Sequence, residues 1–294
     1  MIVITTPAGA IGSQVLARLL DSGTPLRVVE RNPARLPARV RSRVEVVQGS
    51  HADKDVVSRA FAGAEAVFWL CPPDPRAPSL QAAYLDFTRA ACAALHEHGV
   101  RRVVSVTALG RGSVLARNAG HVTASLAMDD LIAATGVHLR ELAMPSFMDN
   151  LLRQVQSIKT QGVFFAPIDG DRKLPSCATR DIAAVASQLL LDEAWTGRDS
   201  VAVLGPEDLS FNDMARIMSE VLGSPVRFQQ VPGDTFKVNL LRNGMSEAVA
   251  QGMLDMAMAK NHGLDNAAAR DARSTTPTSF HQWCVDTLKP LIEA

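Results

Sequence analysis

The chain has 294 residues, 47% hydrophobic and 20% charged, with 30 Lys and Arg balanced by 30 Asp and Glu. That supplies a sizeable core for one large domain, or one and a half, and the zero net charge excludes the basic stripe of a nucleic-acid binder. Four scattered cysteines, Cys71, Cys92, Cys177 and Cys284, form no CxxC or CxH spacing, so neither a disulfide framework nor a zinc site is expected and a reducing cytoplasm fits.

Ile2, Val3 and Ile4 predict a buried strand. The loop Thr6-Pro7-Ala8-Gly9-Ala10-Ile11-Gly12 follows, then a helix with Ile11, Val15, Leu16, Leu19 and Leu20 on its apolar side, ended by Ser22-Gly23. A strand feeding a glycine loop that opens a helix brings backbone N–H groups and the positive end of a helix dipole to a phosphate. The long dinucleotide fingerprint G-x-x-G-x-x-G is two-thirds present: Gly9 and Gly12 stand, Thr6 replaces the first glycine, and Pro7 removes one N–H. The direct opening on a strand predicts no signal peptide, and no apolar run reaches the roughly 18 residues of a membrane span.

Further strands are predicted at Leu26–Glu30, Val44–Gln48, Ala66–Leu70, Val103–Val106 and His138–Leu142. Between them lie helices capped by Asp53 and running through Phe61, over Ser79–Leu95, and over Leu126–Ala134. This alternation predicts right-handed βαβ units: an α/β, doubly wound, Rossmann-like parallel sheet with ligands at the carboxyl ends of its strands. In the second half, helices are expected at Phe147–Gln161, Asp181–Leu191 and Phe211–Leu222, the last capped by Ser210 and stopped by Gly223. Val201–Leu204 is expected to return to the sheet, and Val226–Val231 to form a short strand. Residues 232–294 are helical in pattern, with methionines at 245, 253, 256 and 258 that suit a broad apolar pocket, although core and lid packing is their commoner use. The expected division is a nucleotide-binding domain over residues 1–150, its sheet completed by about 200–205, and an interleaved, smaller, mostly helical substrate region over 151–294.

Glu30 ends the second strand, where an acid accepts the ribose hydroxyls of NAD. Arg31 follows, where a guanidinium would hold the 2′-phosphate of NADP, with Arg35 assisting. The signals conflict unless Glu30 turns away; both residues as solvated charges is the bland reading. The balance goes to NADP, with NAD as the alternative. Other strand exits fall along a dinucleotide's path: Gly49-Ser50-His51 at adenine, Leu70-Cys71-Pro72 at pyrophosphate or ribose, Thr107-Ala108 at the nicotinamide ribose, and Pro145-Ser146-Phe147 at the nicotinamide ring. Phe147, Asn150 and Met245 are candidates for the substrate pocket.

Six segments in order resemble the NmrA-like group of atypical short-chain dehydrogenases/reductases, over nearly the whole chain. The family's TGATGxxG is matched by Thr5-Thr6-Pro7-Ala8-Gly9-Ala10-Ile11-Gly12, its V-R-x-P by Arg31-Asn32-Pro33, and its VVQGD by Val46-Val47-Gln48-Gly49-Ser50, with Ser50 replacing the acid. R-P-x-x-F-M-x-N-L becomes Met144 through Leu151, R-D-I-A is Arg180 through Ala183, and G-P-E-x-L-S is Gly205 through Ser210. The resemblance implies an NAD(P) site. It also implies a Tyr-x-x-x-Lys pair, which is absent: the single tyrosine, Tyr84, lies on an earlier helix with no lysine four residues on. By the resemblance, His121 fills the tyrosine slot, Ser125 the lysine slot, and Asp129 a glutamate position. His121 is then a candidate general acid near neutral pH, against a reading as a helix residue without chemistry. Ser125 is a candidate ribose partner, or a space-filler, and a structural role is favoured for Asp129. His96-Glu97-His98 resembles a metal triplet, but neighbouring helical residues diverge, so no metal is expected.

The expected function is NAD(P)-dependent reduction of a small apolar carbonyl, enone or quinone. The alternatives are a non-catalytic NADP(H) redox sensor and an enzyme of a redox-neutral cyclisation or isomerisation. The expected partner is a small-molecule substrate, with no nucleic acid and no membrane. Helices over 78–98 and 116–134 are candidates for a homodimer face.

Overall fold

The computed structural model describes Met1 to Ala294. Its strands are β1 (Ile2–Ile4), β2 (Leu26–Glu30), β3 (Glu45–Gln48), β4 (Ala66–Trp69), β5 (Arg102–Ala108), β6 (His138–Met144), β7 (Ser146–Phe147), β8 (Val163–Ala166), β9 (Leu174–Cys177), β10 (Arg198–Ala202), β11 (Asp208–Leu209) and β12 (Arg227–Gln230). Seven of them pair in parallel in the order β10-β6-β5-β4-β1-β2-β3. Strand order reverses at β1, between β4 and β2, and this switch point opens a crevice at the carboxyl edge. The sheet is the doubly wound, Rossmann-like α/β arrangement expected from the alternation of strands and helices. Strands β11-β9-β7 form a small second sheet and β12-β8 a pair.

The helices are α1 (Gly12–Leu19), α2 (Ala38–Arg41), α3 (Lys54–Phe61), α4 (Phe87–Glu97), α5 (His121–Ala133), α6 (Val155–Gln161), α7 (Thr179–Leu191), α8 (Phe211–Leu222), α9 (Gly233–Arg242), α10 (Glu247–Asn261), α11 (Phe280–Trp283) and α12 (Lys289–Glu293). Alternate strand residues face opposite layers. Ile4, Phe68, Val104 and Leu142 pack on α1 and α7, whereas Val3, Val67, Trp69 and Val103 pack on α3, α4 and α5. Both faces are covered, which is why β1 and β4 read as continuous apolar runs. A third core, with Phe164, Met218, Phe280 and Trp283, holds the C-terminal helices together. No helix is long and apolar enough to cross a membrane.

Five expectations need correction. Helix α5 begins at His121 rather than Leu126, because Gly120 (φ 54°) turns the chain and the Thr123 hydroxyl both accepts from the Ala119 N–H and donates to the Ala116 carbonyl. The helix expected over Ser79–Leu95 carries a π-turn at Ala82–Asp86 before α4. The helix expected over Phe147–Gln161 is β7, a 3₁₀ segment at Met148–Gln154 and then α6. Asp149 is drawn off to accept the Thr179 N–H and hydroxyl at the start of α7. Residues 268–279, after a 3₁₀ turn at Leu264–Ala267, leave the helical pattern: Leu204 donates to Ser274 and accepts from the Thr276 N–H, and Asp181 accepts from Thr278, tying this stretch to α7 and the segment after β10. The return to the sheet itself comes at β10, slightly earlier than Val201–Leu204.

Helix α5 meets α10 at two glycines. A Cβ at Gly120 would stand 2.1 Å from the Gly252 carbonyl oxygen, at a φ that L side chains rarely adopt. Gly120→Ala should therefore lower unfolding stability by roughly 2–4 kcal/mol, from strain and overpacking together. Urea unfolding checks this; an unchanged midpoint would show that the α5–α10 contact yields freely.

Candidate active site

The loop between β1 and α1 is held from below. The Thr5 hydroxyl donates to the Phe68 carbonyl at 3.0 Å and accepts the Leu70 N–H at 3.2 Å, locking β1 to β4 at the switch point. The Thr6 carbonyl accepts the Gly9 N–H at 3.0 Å, and a Cβ at Gly12 would stand 1.9 Å from that oxygen, so only glycine fits there. Gly9 differs: its Cβ would meet nothing nearer than 3.4 Å, so the protein's own packing does not demand a glycine. The N–H groups of Ala8, Ala10 and Ile11 donate to no protein acceptor, the first turn of α1 has no acid, and the Thr6 hydroxyl is buried without a partner. These unused donors at a helix N-terminus suit a pyrophosphate. Pro7 is buried in the same loop.

At the exit of β2, Glu30 is buried. Its Oε1 accepts the Asn32 N–H at 3.0 Å, and the Arg35 guanidinium lies 3.9 Å away. The carboxylate is thus drawn onto its own loop. Arg35 also reaches the Ala8 carbonyl at 3.4 Å, linking this corner to the phosphate loop. Arg31 is exposed and close enough to His51 to help depress its basicity. Ser50 accepts the Ala52 N–H, and His51 is a core residue: it bonds the Leu70 carbonyl at 3.1 Å and lies edge-on to Trp69 and Phe87. Burial, chiefly, lowers its pKa to about 4.

The buried side of α5 carries a polar stripe where a helix against a sheet is normally apolar. His121, Ser125 and Asp129, four residues apart, are all buried. Ser125 and Thr107 hydroxyls are 2.9 Å apart, and Ser105 donates to Asp129 Oδ1 at 2.8 Å. Asp129 Oδ2 has no hydrogen-bond partner, with Arg111 3.9 Å away. Beside it, buried Glu141 is held by Arg111 at 2.9 Å and Arg198 at 2.6 Å, both of which also reach Asp130. His121 Nε2 lies 3.2 Å from the Val249 carbonyl, which can only accept, so Nε2 carries the proton. Nδ1 of the neutral ring then accepts from the Tyr84 hydroxyl at 3.1 Å. Burial lowers the His121 pKa and raises that of Tyr84. The π-turn thus brings the chain's one tyrosine to the histidine, a contact that spacing along the sequence did not reveal.

Beyond β6, Pro145 is buried, while Ser146 and Phe147 are half-buried. Lys260 of α10 donates to Ser146 Oγ at 3.2 Å and to Asp265 Oδ2 at 2.5 Å, a buried pair that no motif marked. Ala108 and Leu70 are half-buried and Pro72 is exposed. Cys71 donates to the Ala83 carbonyl, and burial pushes its pKa up to about 12, which removes a reactive thiolate. Met245 is half-buried against the α3–α5 core, Asn150 is exposed, and His98 bonds Ser58. Met256 and Met258 pack against separate small clusters. A solvent-open hollow of about 640 Å³, lined mostly by polar groups including Arg172, Lys173 and His262, lies between the start of β9 and the end of α10.

A family model described as the NmrA-like family matches residues 1–284. The chain belongs to the NmrA-like family. Among its relatives, a (4-alkanoyl-5-oxo-2,5-dihydrofuran-3-yl)methyl phosphate reductase of Streptomyces griseus is 33% identical over 290 residues, 97% of each chain. An NAD(P)H azoreductase of Xenophilus azovorans is 26% identical over 256 residues, 87% of this chain and 86% of the relative. Among solved structures, the Escherichia coli NADPH-dependent quinone oxidoreductase complexed with NADPH superposes with a TM-score of 0.77 at 19% identity, over 100% of this chain and 99% of that one. The Citrobacter sp. triphenylmethane reductase complexed with NADP(H) does so with 0.77 at 19%, over 98% and 100%. At those identities the shared feature is the fold.

In this NmrA-like chain, burial, aided by the neighbouring Glu141 carboxylate, raises the Asp129 pKa to about 7. The folded protein therefore keeps a proton that the unfolded chain releases near pH 4, so this residue costs stability as pH rises from about 4 to about 7. Asp129→Asn should gain on the wild type across that window, by up to about 1.4 kcal/mol per pH unit. Urea unfolding at several pH values checks it, and a pH-independent difference would refute it.

Proposed function

We propose that this protein is an NADPH-dependent reductase of a small apolar carbonyl, enone or quinone. The observation that carries the reading is the phosphate loop, whose Ala8, Ala10 and Ile11 amides are left without acceptors at the switch point of the sheet. Those amides, with the Thr6–Gly12 turn, would hold the pyrophosphate; Arg31, with Arg35, would hold a 2′-phosphate, and Glu30 the ribose. Ser50, Leu70, Cys71 and Pro72 would line the adenosine and pyrophosphate path. Thr107, Ala108 and Ser125 would meet the second ribose, and Pro145, Ser146 and Phe147 would cover the nicotinamide. When bound, the cofactor supplies a hydride. The relative from Streptomyces griseus supports a conjugated acceptor, since its named substrate is an unsaturated ring bearing carbonyl groups.

The chain's own task is then to place the acceptor, exclude water and deliver a proton. Phe147, Asn150 and Met245 are the proposed substrate contacts. His121 is the proposed proton donor, acting as a neutral imidazole whose Nε2 proton now rests on the Val249 carbonyl. That proton becomes available only when α10 moves off the ring. A sensor that binds NADP(H) without turnover is favoured by the same fact: both His121 nitrogens are satisfied inside the protein.

Mixing the protein with NADPH and a panel of quinones and enones, while following loss of reduced-nicotinamide absorbance, separates the two. Saturable binding with consumption of NADPH is expected; binding with no turnover on any acceptor would establish the sensor. Arg31→Ala should weaken NADPH at least about tenfold and NADH by less than about twofold, as one charge-assisted contact predicts. Equal losses would remove Arg31 from the phosphate site. His121→Ala should cut turnover about a hundredfold while cofactor affinity stays put, and unchanged turnover would exclude it as the donor.

A further inference from the structure

Lys260 and Asp265 form a buried ion pair, 5% and 1% exposed, and the two groups are incompletely used. A lysine ammonium has three N–H donors. Two are spent, on Asp265 Oδ2 and Ser146 Oγ, and the third has no acceptor. Asp265 Oδ1 is likewise buried with no partner. One free donor thus stands beside one free acceptor in the same desolvated spot. Leaving both unsatisfied is costly, and an apolar pair would fill the volume without that cost.

The position of the pair narrows what would satisfy it. Ser146 lies two residues beyond the end of β6. The turn carrying Asp265 lies across the exit of β5: a Cβ at Gly110 would stand 2.7 Å from Leu264 Cδ1. Both exits are on the far side of the switch point from Glu30 and Arg31. A dinucleotide whose adenosine lies at β2 and whose pyrophosphate lies on α1 brings its other ring to this side. A primary carboxamide offers one carbonyl acceptor and an NH₂ donor on the same carbon, the complement of the free lysine proton and the free carboxylate oxygen.

We propose that Lys260 and Asp265 hold the carboxamide of the nicotinamide ring, Lys260 donating to its carbonyl and Asp265 accepting from its NH₂. This rests on the reading of the chain as an NADP(H)-binding protein. It also places α10 on the cofactor as well as on His121, so one helix contacts both.

Calorimetric titration of the wild-type protein tests it without any substitution. The 3-acetylpyridine analogue of NADP⁺ keeps the carbonyl and replaces NH₂ by methyl, so it should bind about tenfold more weakly than NADP⁺. Equal affinity would overturn the proposal. In Asp265→Leu the two should bind alike. In the double variant Lys260→Met, Asp265→Leu, NADP⁺ should weaken about tenfold or more while 2′-phospho-ADP-ribose, which lacks the ring, stays within about twofold. Parallel loss for both ligands would assign the pair a structural role, and no loss for either would also overturn the proposal. If the wild type binds neither NADP⁺ nor 2′-phospho-ADP-ribose, the dinucleotide reading itself falls, and this one with it.

Discussion

The contact between the Thr6 carbonyl and Gly12 governs the rest of the molecule's chemistry. Any side chain at Gly12 would overlap that oxygen, so α1 starts hard against the end of β1. The helix then begins under the crevice rather than beside it, with its first amides unspent. Thr5 extends the same constraint sideways, tying β1 to β4 through the Phe68 carbonyl and the Leu70 N–H. Threonine in place of the fingerprint's first glycine is compatible with this geometry because the Thr6 carbonyl, and not the space at its Cα, forms the turn. Its hydroxyl is left buried and unpartnered inside the turn, close to Gly12.

A second polar system lies on the opposite layer of the sheet. His121, Ser125 and Asp129 occupy the stripe of α5 that meets β5, and each has a partner from elsewhere: Tyr84, Thr107 and Ser105. Burying these groups costs desolvation that only complete hydrogen bonding offsets. The histidine and serine are satisfied, and the aspartate is half satisfied. Glu141, between two arginines, keeps the adjoining end of α5 anchored to β5, β6 and β10. His121, Ser125 and Asp129 thus form an imidazole–hydroxyl–carboxyl stripe whose His121 end is covered by α10.

Much of this was legible in the chain. The strand exits could be placed because β1 and β4 are buried on both faces and read as unbroken apolar runs, and β2 is buried throughout around Val28 and Val29. Ser210 could be assigned as a cap because its capping box with Asp213 lies within four residues. Local signals failed where the partner is distant. The start of α5 was hidden because its buried face is polar, which defeats a search for apolar periodicity. The meeting of Tyr84 with His121 spans 37 residues, and that of Lys260 with Ser146 spans 114. Nothing near either residue announces its neighbour. Asp149 misled in the other direction: it looked like part of a helix and instead caps a different one.

The π-turn at Ala82–Asp86 sets a matter of phase. Each residue of an α-helix advances about 100° around its axis, so one extra residue in a turn rotates everything beyond it by that amount. Tyr84 sits inside the irregular turn and faces α5, while α4 beyond it keeps Ala91 and Leu95 against α3. A regular helix over the same residues would have to give up one of these orientations. The irregular turn therefore works as an offset between two gears: one continuous helix presents the tyrosine to α5 and its apolar side to α3, both within the same core.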